Sequence, residues 1–500
     1  MDVSLRLLSV PKLVSRGVHG LCNTMSDPFS AGLGNVRPMT GTARHVRRLL
    51  TQPVDNTFLV YFRVAFGAMM IWCLLKYFRQ DLVRTMYLEP RIHFTYYGFD
   101  WVKPWSGPGM YAHFLVTAIA AGSIMVGFAY RLSTTVFFLG FTYIFLIDEC
   151  WYLNHYYLIC LLAFLLMMVP AQCAFSVDAL RKPGLHSGTV PAWVLWILRF
   201  QIGVPYFFGG IAKLNADWLH GEPMRTWLAQ KTEFPVIGPY FTEQWCVALF
   251  VWGGLLLDLF AVPLLLWRPT RLLTLMAVWM FHGINSQLFD IGVFPWLMLV
   301  ETTLVYLPTR WTGRLRFWRP PDDGRVVSDS MRHNSRWAPS LLCGFVAVQL
   351  LIPFRHFLYP GHVAFTREGH CFSWRMKLNI RDRDFQLAVH YEDGTQEAVD
   401  LWEWVTWPQF KHMVSPGQVL QLAHFIREHE EHESGMRAEV RGTITAALNG
   451  RDPEVLVNDE FDLSRQRRGL LPARWIRRPV LSSIASVAGI SASSATESGD

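Results

Sequence analysis

Long apolar segments separated by short polar loops occupy the first 350 residues of the chain. A transmembrane helix needs about 20 largely apolar residues, and nine segments approach that length. They are residues 57–78, 111–130, 132–149, 155–170, 190–213, 244–267, 272–289, 291–307 and 338–354. The pattern predicts an α-helical integral membrane protein with a bundle of about nine transmembrane helices.

The pattern changes after residue 355, where shorter alternating segments replace the long apolar ones. Residues 375–380, 384–391 and 436–448 alternate like strands. Glu392-Asp393-Gly394 is a plausible hairpin turn, and residues 417–432 have a helical pattern. We therefore expect a small α+β domain over residues 355–478. The remainder, residues 479–500, is rich in Ser and Ala and is expected to be a disordered tail.

The Lys and Arg residues of the loops predict the orientation in the membrane. Five successive basic segments fall on one side if the N-terminus is cytoplasmic, from Arg37–Arg48 before the first span to the Arg-rich loop 310–336. Residues 1–55 are then a basic cytoplasmic arm, and residues 56–354 are the transmembrane domain. With nine spans, the α+β domain is extracytoplasmic, on the luminal or periplasmic side.

Composition supports the membrane assignment and excludes several other classes of protein. Charged residues are 17% of the chain, against about 25% in soluble proteins, and the hydrophobic set reaches 51%. The net charge of +7 comes from residues beside apolar segments, so we expect a membrane and no nucleic acid as partner. Eight Cys without a CxxC pair indicate neither a disulfide scaffold nor a zinc framework, and no metal site is predicted.

Seven ionisable residues lie inside the predicted spans, where each costs roughly 2.5–3.5 kcal/mol and therefore calls for a partner or a function. They are Arg63, His155, Arg199, Lys213, Asp258, His282 and Glu301. Pairing between helices is the expected role of the two arginines and the two acids. The lysine and the two histidines all fall near the extracytoplasmic ends of their spans, beside Asn154, Asn285 and Gln287. Each alone has an ordinary explanation, such as a snorkelling lysine, but their common depth predicts a site.

Lys213 follows the apolar sequence Phe207-Phe208-Gly209-Gly210-Ile211-Ala212. Apolar surroundings disfavour an ammonium group and favour the neutral amine, which is a competent general base. The two glycines allow a neighbouring helix or a flat ligand to approach closely. Tyr206, Phe207, Phe208 and Trp218 are candidates for an aromatic wall around the amine.

Four motifs of the chain resemble those of one enzyme family. Gly210-Ile-Ala-Lys-Leu-Asn-Ala-Asp-Trp218 and Phe281-His-Gly-Ile-Asn-Ser-Gln-Leu-Phe289 closely resemble the vitamin K-dependent gamma-carboxylases. Asn154-His-Tyr-Tyr-Leu158 and Tyr391-Glu-Asp-Gly394 are similar to two further motifs of that family. The likeness runs in collinear order from about residue 50 to about residue 465.

The resemblance implies a reaction and its participants. Vitamin K hydroquinone is oxygenated with O2 to the 2,3-epoxide, and the basic intermediate removes a γ-proton from a protein or peptide glutamate, which then captures CO2. The family's general base falls on Lys213, and a histidine of the carboxylation half falls on His155. Roles in holding the quinone are implied for four positions near these residues, two asparagines, one histidine and one glutamine, and a role near the glutamate for one tyrosine. These residues are Asn154, His282, Asn285, Gln287 and, on the glutamate side, Tyr391.

Two departures from the family pattern keep alternatives open. Animal members carry a second lysine where this chain has Ala212, and they continue beyond the matched region, so recognition of a substrate propeptide is in question. A vitamin K quinol epoxidase without protein carboxylation is the second hypothesis. A non-catalytic quinone-binding membrane protein is the third, although a pure binder needs no buried base.

Overall fold

The computed structural model describes residues 41–318 and 338–479. The predicted tail, the first 40 residues of the predicted arm and most of the Arg-rich loop lie outside the described residues. Within the arm, residues Gly41–Thr51 form helix α1.

Within the described ranges, a helix occupies each of the apolar segments predicted from the sequence. These helices are α2 (Thr57–Arg79), α3 (Pro108–Val126), α4 (Tyr130–Ile147), α5 (Asn154–Met168), α6 (Ala192–Lys213), α7 (Gln244–Leu266), α8 (Arg271–Leu288), α9 (Phe294–Tyr306) and α10 (Ala338–Leu351). By length and composition, six helices of the described part are able to cross a membrane: α2, α3, α4, α6, α7 and the segment Ser340–Leu358 that begins in α10.

The prediction of nine spans is not confirmed. Helices α5 and α9 are apolar but short, at 15 and 13 residues. Helix α8 reaches 18 residues but carries His282, Asn285, Ser286 and Gln287 near its C-terminal end. The chain is thus a mostly helical, multi-pass membrane protein with six candidate spans.

Small residues allow the helices to pack closely. Helices α2 to α5 pack in sequence order, α7 packs on α6 and α8, and α9 contacts both α2 and α6. A Cβ atom at Gly67 would lie 2.8 Å from the Ala121 carbonyl of α3, and one at Gly210 would lie 2.8 Å from the Leu259 amide of α7. Larger side chains at either glycine would separate these helix pairs. Gly210 therefore allows the close helix approach expected from the sequence.

The buried charges of the bundle find different partners. Arg63 donates to the carbonyls of Ile124 and Met125 at 3.0 and 2.7 Å, and Arg199 Nε donates to the Val305 carbonyl at 2.8 Å. Both arginines therefore link segments through backbone carbonyls. Glu301 is fully buried, and neither of its carboxyl oxygens has a hydrogen-bond partner in the described part of the chain.

The described part of the chain has six strands: β1 (Pro53–Asp55), β2 (Thr189–Pro191), β3 (Arg381–Tyr391), β4 (Gln396–Ala398), β5 (Ala438–Leu448) and β6 (Glu454–Val457). Strands β1 and β2 form an antiparallel two-stranded ribbon. The other four form an antiparallel sheet in the C-terminal part, in the order β4-β3-β5-β6. Helices α11 (Trp407–His412) and α12 (Pro416–Ser434) lie between β4 and β5, and each begins with a capping box. The predicted hairpin turn is present, with Gly394 at φ 89° and the Tyr391 amide donating to the Thr395 carbonyl.

Residues 375–380 are not a strand, contrary to the sequence prediction. The first strand of the sheet begins only at Arg381. Within this range Lys377 has a φ of 47°, which is incompatible with extended backbone, and just before it Phe372 and Trp374 have φ values of 64° and 56°. Their side chains alternate in polarity, but tertiary contacts, not a sheet, determine where they lie.

Hydrogen bonds connect the C-terminal part to the loops of the helical bundle. Gln409 of α11 donates to the Ile92 carbonyl at 2.8 Å and to the Asp148 carboxylate at 3.1 Å, and all three are buried. The Phe372 amide donates to the Tyr152 hydroxyl at 2.6 Å. These contacts bring the segment before β3 to the N-terminal end of α5.

Candidate functional site

A cavity of about 1510 Å³ lies where six helices of the bundle meet the segment before β3. Helices α2, α5, α6, α7, α8 and α9 contribute side chains to its wall, and Arg375, Met376 and Lys377 contribute from the C-terminal part. Pockets for one small ligand usually have volumes of about 300–1,000 Å³. The cavity is therefore large enough for two substrates together.

The cavity brings together six of the seven residues to which the family resemblance assigns a role. Its wall includes Asn154, His155, Lys213, His282, Asn285 and Gln287. Tyr391 is not part of this wall. It lies at the end of β3, where its hydroxyl donates to Glu430 of α12 at 2.8 Å. Burial and the neighbouring Glu430 raise the pKa of Tyr391 to about 12.

Lys213 forms a buried ion pair with Asp258 of α7. Its ammonium nitrogen also lies 5.2 Å from the ring centre of Trp218 and 5.8 Å from that of Phe281. The sequence predicted the aromatic environment and an interhelical partner for Asp258, but it did not predict that the partner is Lys213. The amine is therefore not alone in an apolar pocket, and the reactive unit is a lysine–aspartate pair.

The chain turn after α6 fixes the position of Lys213, the last residue of that helix. The Asn215 side chain donates to the Ala212 carbonyl at 2.9 Å and accepts from the Trp218 amide at 3.0 Å. It thereby satisfies the end of one helix and the start of the next. Trp218 in turn donates through Nε1 to the Val251 carbonyl of α7. These bonds hold the amine against the helix that carries its partner.

Only part of the predicted aromatic wall is present. Tyr206 and Trp218 line the cavity, but Phe207 and Phe208 do not. Tyr206 is seven residues, or about two helical turns, before Lys213 and so shares its face, whereas the next two residues are rotated away. Other aromatic side chains complete the wall, including Trp227, Trp245, Phe250, Phe281, Phe289 and Phe294.

His282 is held by a buried hydrogen-bond network. Its Nε2 lies 2.8 Å from the Tyr206 hydroxyl, which lies 3.2 Å from the Thr302 hydroxyl. Nδ1 of His282 is buried and has no hydrogen-bond partner in the described part of the chain. One ring nitrogen is thus fixed by the protein, and the other remains for a ligand or a water molecule.

The ring of Phe294 lies close to the rings of both His155 and His282. The ring centre of Phe294 is 5.8 Å from that of His155 and 6.2 Å from that of His282. Beside His155, Asn154 accepts a hydrogen bond from the Tyr152 hydroxyl at 3.0 Å. One aromatic ring therefore connects the two histidines within the cavity.

The two amide residues of α8 differ in how they are held. Gln287 is exposed and donates to the Ser286 hydroxyl at 3.3 Å. The Asn285 side chain is half-buried and makes no hydrogen bond within the described ranges. Asn285 can therefore offer both its donor and its acceptor to a ligand.

The sequence prediction missed the contribution of residues 375–377. Met376 Cε lies 3.5 Å from the Cβ position that Gly209 would have, and Asp258 Oδ2 lies 3.4 Å from the same point. Met376 and the carboxylate of Asp258 thus lie beside the same glycine of α6. Positive φ values at non-glycine residues cost about 1–3 kcal/mol each and cluster at functional sites. Lys377 of this segment, and Phe372 and Trp374 just before it, have positive φ values that the alternating sequence does not predict.

Asp217 joins the loop after Lys213 to the sheet. Its carboxylate accepts from Arg451 at 2.5 and 2.9 Å and from Asn449 Nδ2 at 2.7 Å. Burial alone raises the pKa of Asp217, but the hydrogen bonds and charge of Arg451 outweigh it and hold the pKa below its ordinary value. Asn449 also exchanges hydrogen bonds with Ile380, at 2.9 and 3.0 Å. Asn449 therefore links the loop after α6 to the segment that lines the cavity.

Comparison with known families agrees with this architecture. The family model of the HTTM domain matches residues 51–311, which is more than half of the chain, and that of the vitamin K-dependent gamma-carboxylase lumenal domain matches residues 334–480. No solved structure matches the chain. The first match covers helices α2 to α9, and the second covers the sheet together with the segment that lines the cavity. The chain belongs to the vitamin K-dependent gamma-carboxylase family.

Proposed function

We propose that the protein is a vitamin K-dependent glutamate carboxylase that couples oxygenation of vitamin K hydroquinone to carboxylation of a protein glutamate. The observation that carries this proposal is that Lys213, His155 and His282 line one cavity. Family membership supports the carboxylase class. In the coupled reaction, O2 converts the hydroquinone to the 2,3-epoxide, the γ-proton of glutamate is removed, and CO2 adds to the resulting carbanion.

Lys213 is proposed as the base that accepts the hydroquinone proton. Its amine is buried beside Trp218 and Phe281, so little water competes for the proton. Asn285 and the unpartnered Nδ1 of His282 are proposed to bind the quinone oxygens, since both have free hydrogen-bonding capacity. Asn154 and Gln287 are proposed to border the same ring.

The whole reaction is tested by supplying vitamin K hydroquinone, O2, a glutamate peptide and radiolabelled bicarbonate to the detergent-solubilised protein. Epoxide and carboxylated peptide are scored separately. We expect both products in similar amounts. Epoxide without labelled peptide would identify an epoxidase, and absence of both would leave only quinone binding.

We expect His155→Ala to lower carboxylation more than epoxidation, by at least about tenfold in their ratio. His155 is at the start of α5, near the C-terminal part, whereas Lys213 is needed for both halves because no strong base forms without oxygenation. The matched control is His220→Ala, since His220 is exposed and is not part of the cavity wall. Equal losses of the two products would assign His155 to the quinone side. The same assay with Tyr391→Phe tests the proposed glutamate-side role of Tyr391.

We further propose that the N-terminus is cytoplasmic and that residues 355–478 are extracytoplasmic. The five basic segments of the sequence support this orientation. Nine spans would leave the two ends of the chain on opposite sides, and six would leave them on the same side. A glycosylation reporter after Arg478 is expected to be modified and one at the N-terminus to remain unmodified. If the reporter after Arg478 is not modified either, the C-terminal part is not extracytoplasmic and the proposed orientation is wrong.

A further inference from the structure

Two cationic side chains enter the cavity from the segment before β3. Arg375 and Lys377 both line the cavity, and neither makes a hydrogen bond or an ion pair within residues 41–318 and 338–479. Lys377 lies over the rings of Trp227 and Phe289, at 5.7 and 6.0 Å. Burial lowers the pKa of Arg375 to about 10, so the side chain remains charged at neutral pH.

A half-buried guanidinium without an acidic partner is costly, because its charge is partly removed from water and nothing compensates it. The surroundings of Arg375 add positive charge. Burial, together with Arg367 and Arg375, holds the pKa of His370 well below its ordinary value. This electrostatic environment favours an anion in the adjoining part of the cavity.

The position of the two cations is fixed from both sides. Phe372 and Trp374 pack on the ring of Tyr157 in α5, with ring centres 4.9 and 5.2 Å away, and Trp374 is fully buried. Between the cations, Met376 approaches Gly209 and Asp258. Arg375 and Lys377 therefore flank a residue that lies next to the lysine–aspartate pair.

We infer that Arg375 and Lys377 form a carboxylate site that holds the side chain of the substrate glutamate beside Lys213. The inference rests on the proposed function. A guanidinium matches the planar geometry of a carboxylate and donates two parallel hydrogen bonds to it. The carboxylated product has two carboxylate groups on the γ-carbon, and two cations suit that product better than one. The other anionic group available in the cavity is an oxyanion of the hydroquinone, and the experiment separates the two.

The test measures the KM of a short glutamate peptide and the KM of the hydroquinone for Arg375→Met in the full-length protein. We expect the KM of the peptide to rise at least about tenfold, since a hydrogen bond to a charged group is lost, while the KM of the hydroquinone changes less than about twofold. Arg375→Lys is expected to recover part of the peptide affinity. The control is Arg79→Met, because Arg79 lines a different part of the cavity, on α2. A rise in the KM of the hydroquinone instead would overturn the inference.

A binding measurement separates this inference from the proposed function. N-acetyl-glutamate amide is expected to raise the unfolding temperature of the wild-type protein, whereas the neutral N-acetyl-glutamine amide is not, and Arg375→Met is expected to lose the difference. Equal responses to the two probes would exclude a carboxylate site even if the enzyme is active. Absence of epoxide from the wild-type protein would instead refute the proposed reaction while leaving glutamate binding measurable.

Discussion

Replacement of Lys213 by alanine is expected to abolish epoxide formation, with a loss of at least about 10²–10⁴-fold, the usual contribution of a general base. Carboxylation is expected to disappear with it, since the glutamate proton is removed only after the quinone is oxygenated. The measurement is epoxide formed from vitamin K hydroquinone by the solubilised protein. A small exogenous amine is expected to restore part of the activity of Lys213→Ala.

The alanine variant alone does not separate chemistry from stability, because it leaves the buried Asp258 without its cation. Lys213→Arg resolves this ambiguity, since arginine keeps a positive partner for Asp258 but stays protonated and cannot act as a base. We expect Lys213→Arg to be folded and inactive. The matched control is Lys231→Ala, because Lys231 is exposed and lines another part of the same cavity. Epoxidation by Lys213→Arg at the wild-type rate would refute the role of Lys213.

The helices of the fold were predictable from the sequence because the length of an apolar segment is a local property. Each predicted segment has its helix, within a few residues at either end. The number of spans was not predictable in the same way. Helices α5 and α9 are short and α8 has a polar end, and all three pack against neighbouring helices. Apolar length alone does not distinguish such packed helices from full spans.

The common location of Lys213, His155 and His282 was predictable because the depth of a residue along a helix follows from its position in the sequence. The direction in which it points does not. Pairing of Lys213 with Asp258 depends on the rotation of α6 against α7, which the close approach at Gly210 determines. The signal available was that Asp258 is the one charged residue of α7, so a cationic partner on a neighbouring helix was to be expected.

The contribution of residues 375–377 was hidden by their alternating polarity, which imitates a strand. Their positions depend on Phe372 and Trp374 packing on α5, and on Asn449 bonding to Ile380, which are contacts between residues far apart in the chain. Tyr391 illustrates the converse. Its motif forms the predicted turn, but the wall of the cavity does not include it. Its role on the glutamate side stays a prediction.

The lysine–aspartate pair raises the question of how an ion-paired amine acts as a base. Lys213 must be unprotonated to accept a proton from the hydroquinone, and Asp258 is positioned to receive the proton that Lys213 gives up. In the proposed reaction, transfer of the ammonium proton of Lys213 to the carboxylate of Asp258 leaves a neutral amine, which can then accept the hydroquinone proton. Both groups are buried, and no other acid of the described chain forms an ion pair with this lysine. We therefore propose that Asp258 is the acceptor of the Lys213 proton.

Asp258→Asn is accordingly expected to lower epoxide formation at least about 10²-fold while the protein remains folded, because asparagine accepts a hydrogen bond from Lys213 but cannot take its proton. Asp258→Glu is expected to retain part of the activity, since it preserves the carboxylate at a slightly different reach. The matched control is Asp290→Asn, which removes an exposed carboxylate from the same cavity and is expected to leave the rate within about twofold. Both variants are compared by initial rates of epoxide formation and by unfolding temperature. A wild-type rate in Asp258→Asn would mean that Asp258 only anchors Lys213, and that the amine loses its proton to water by a route that does not need Asp258.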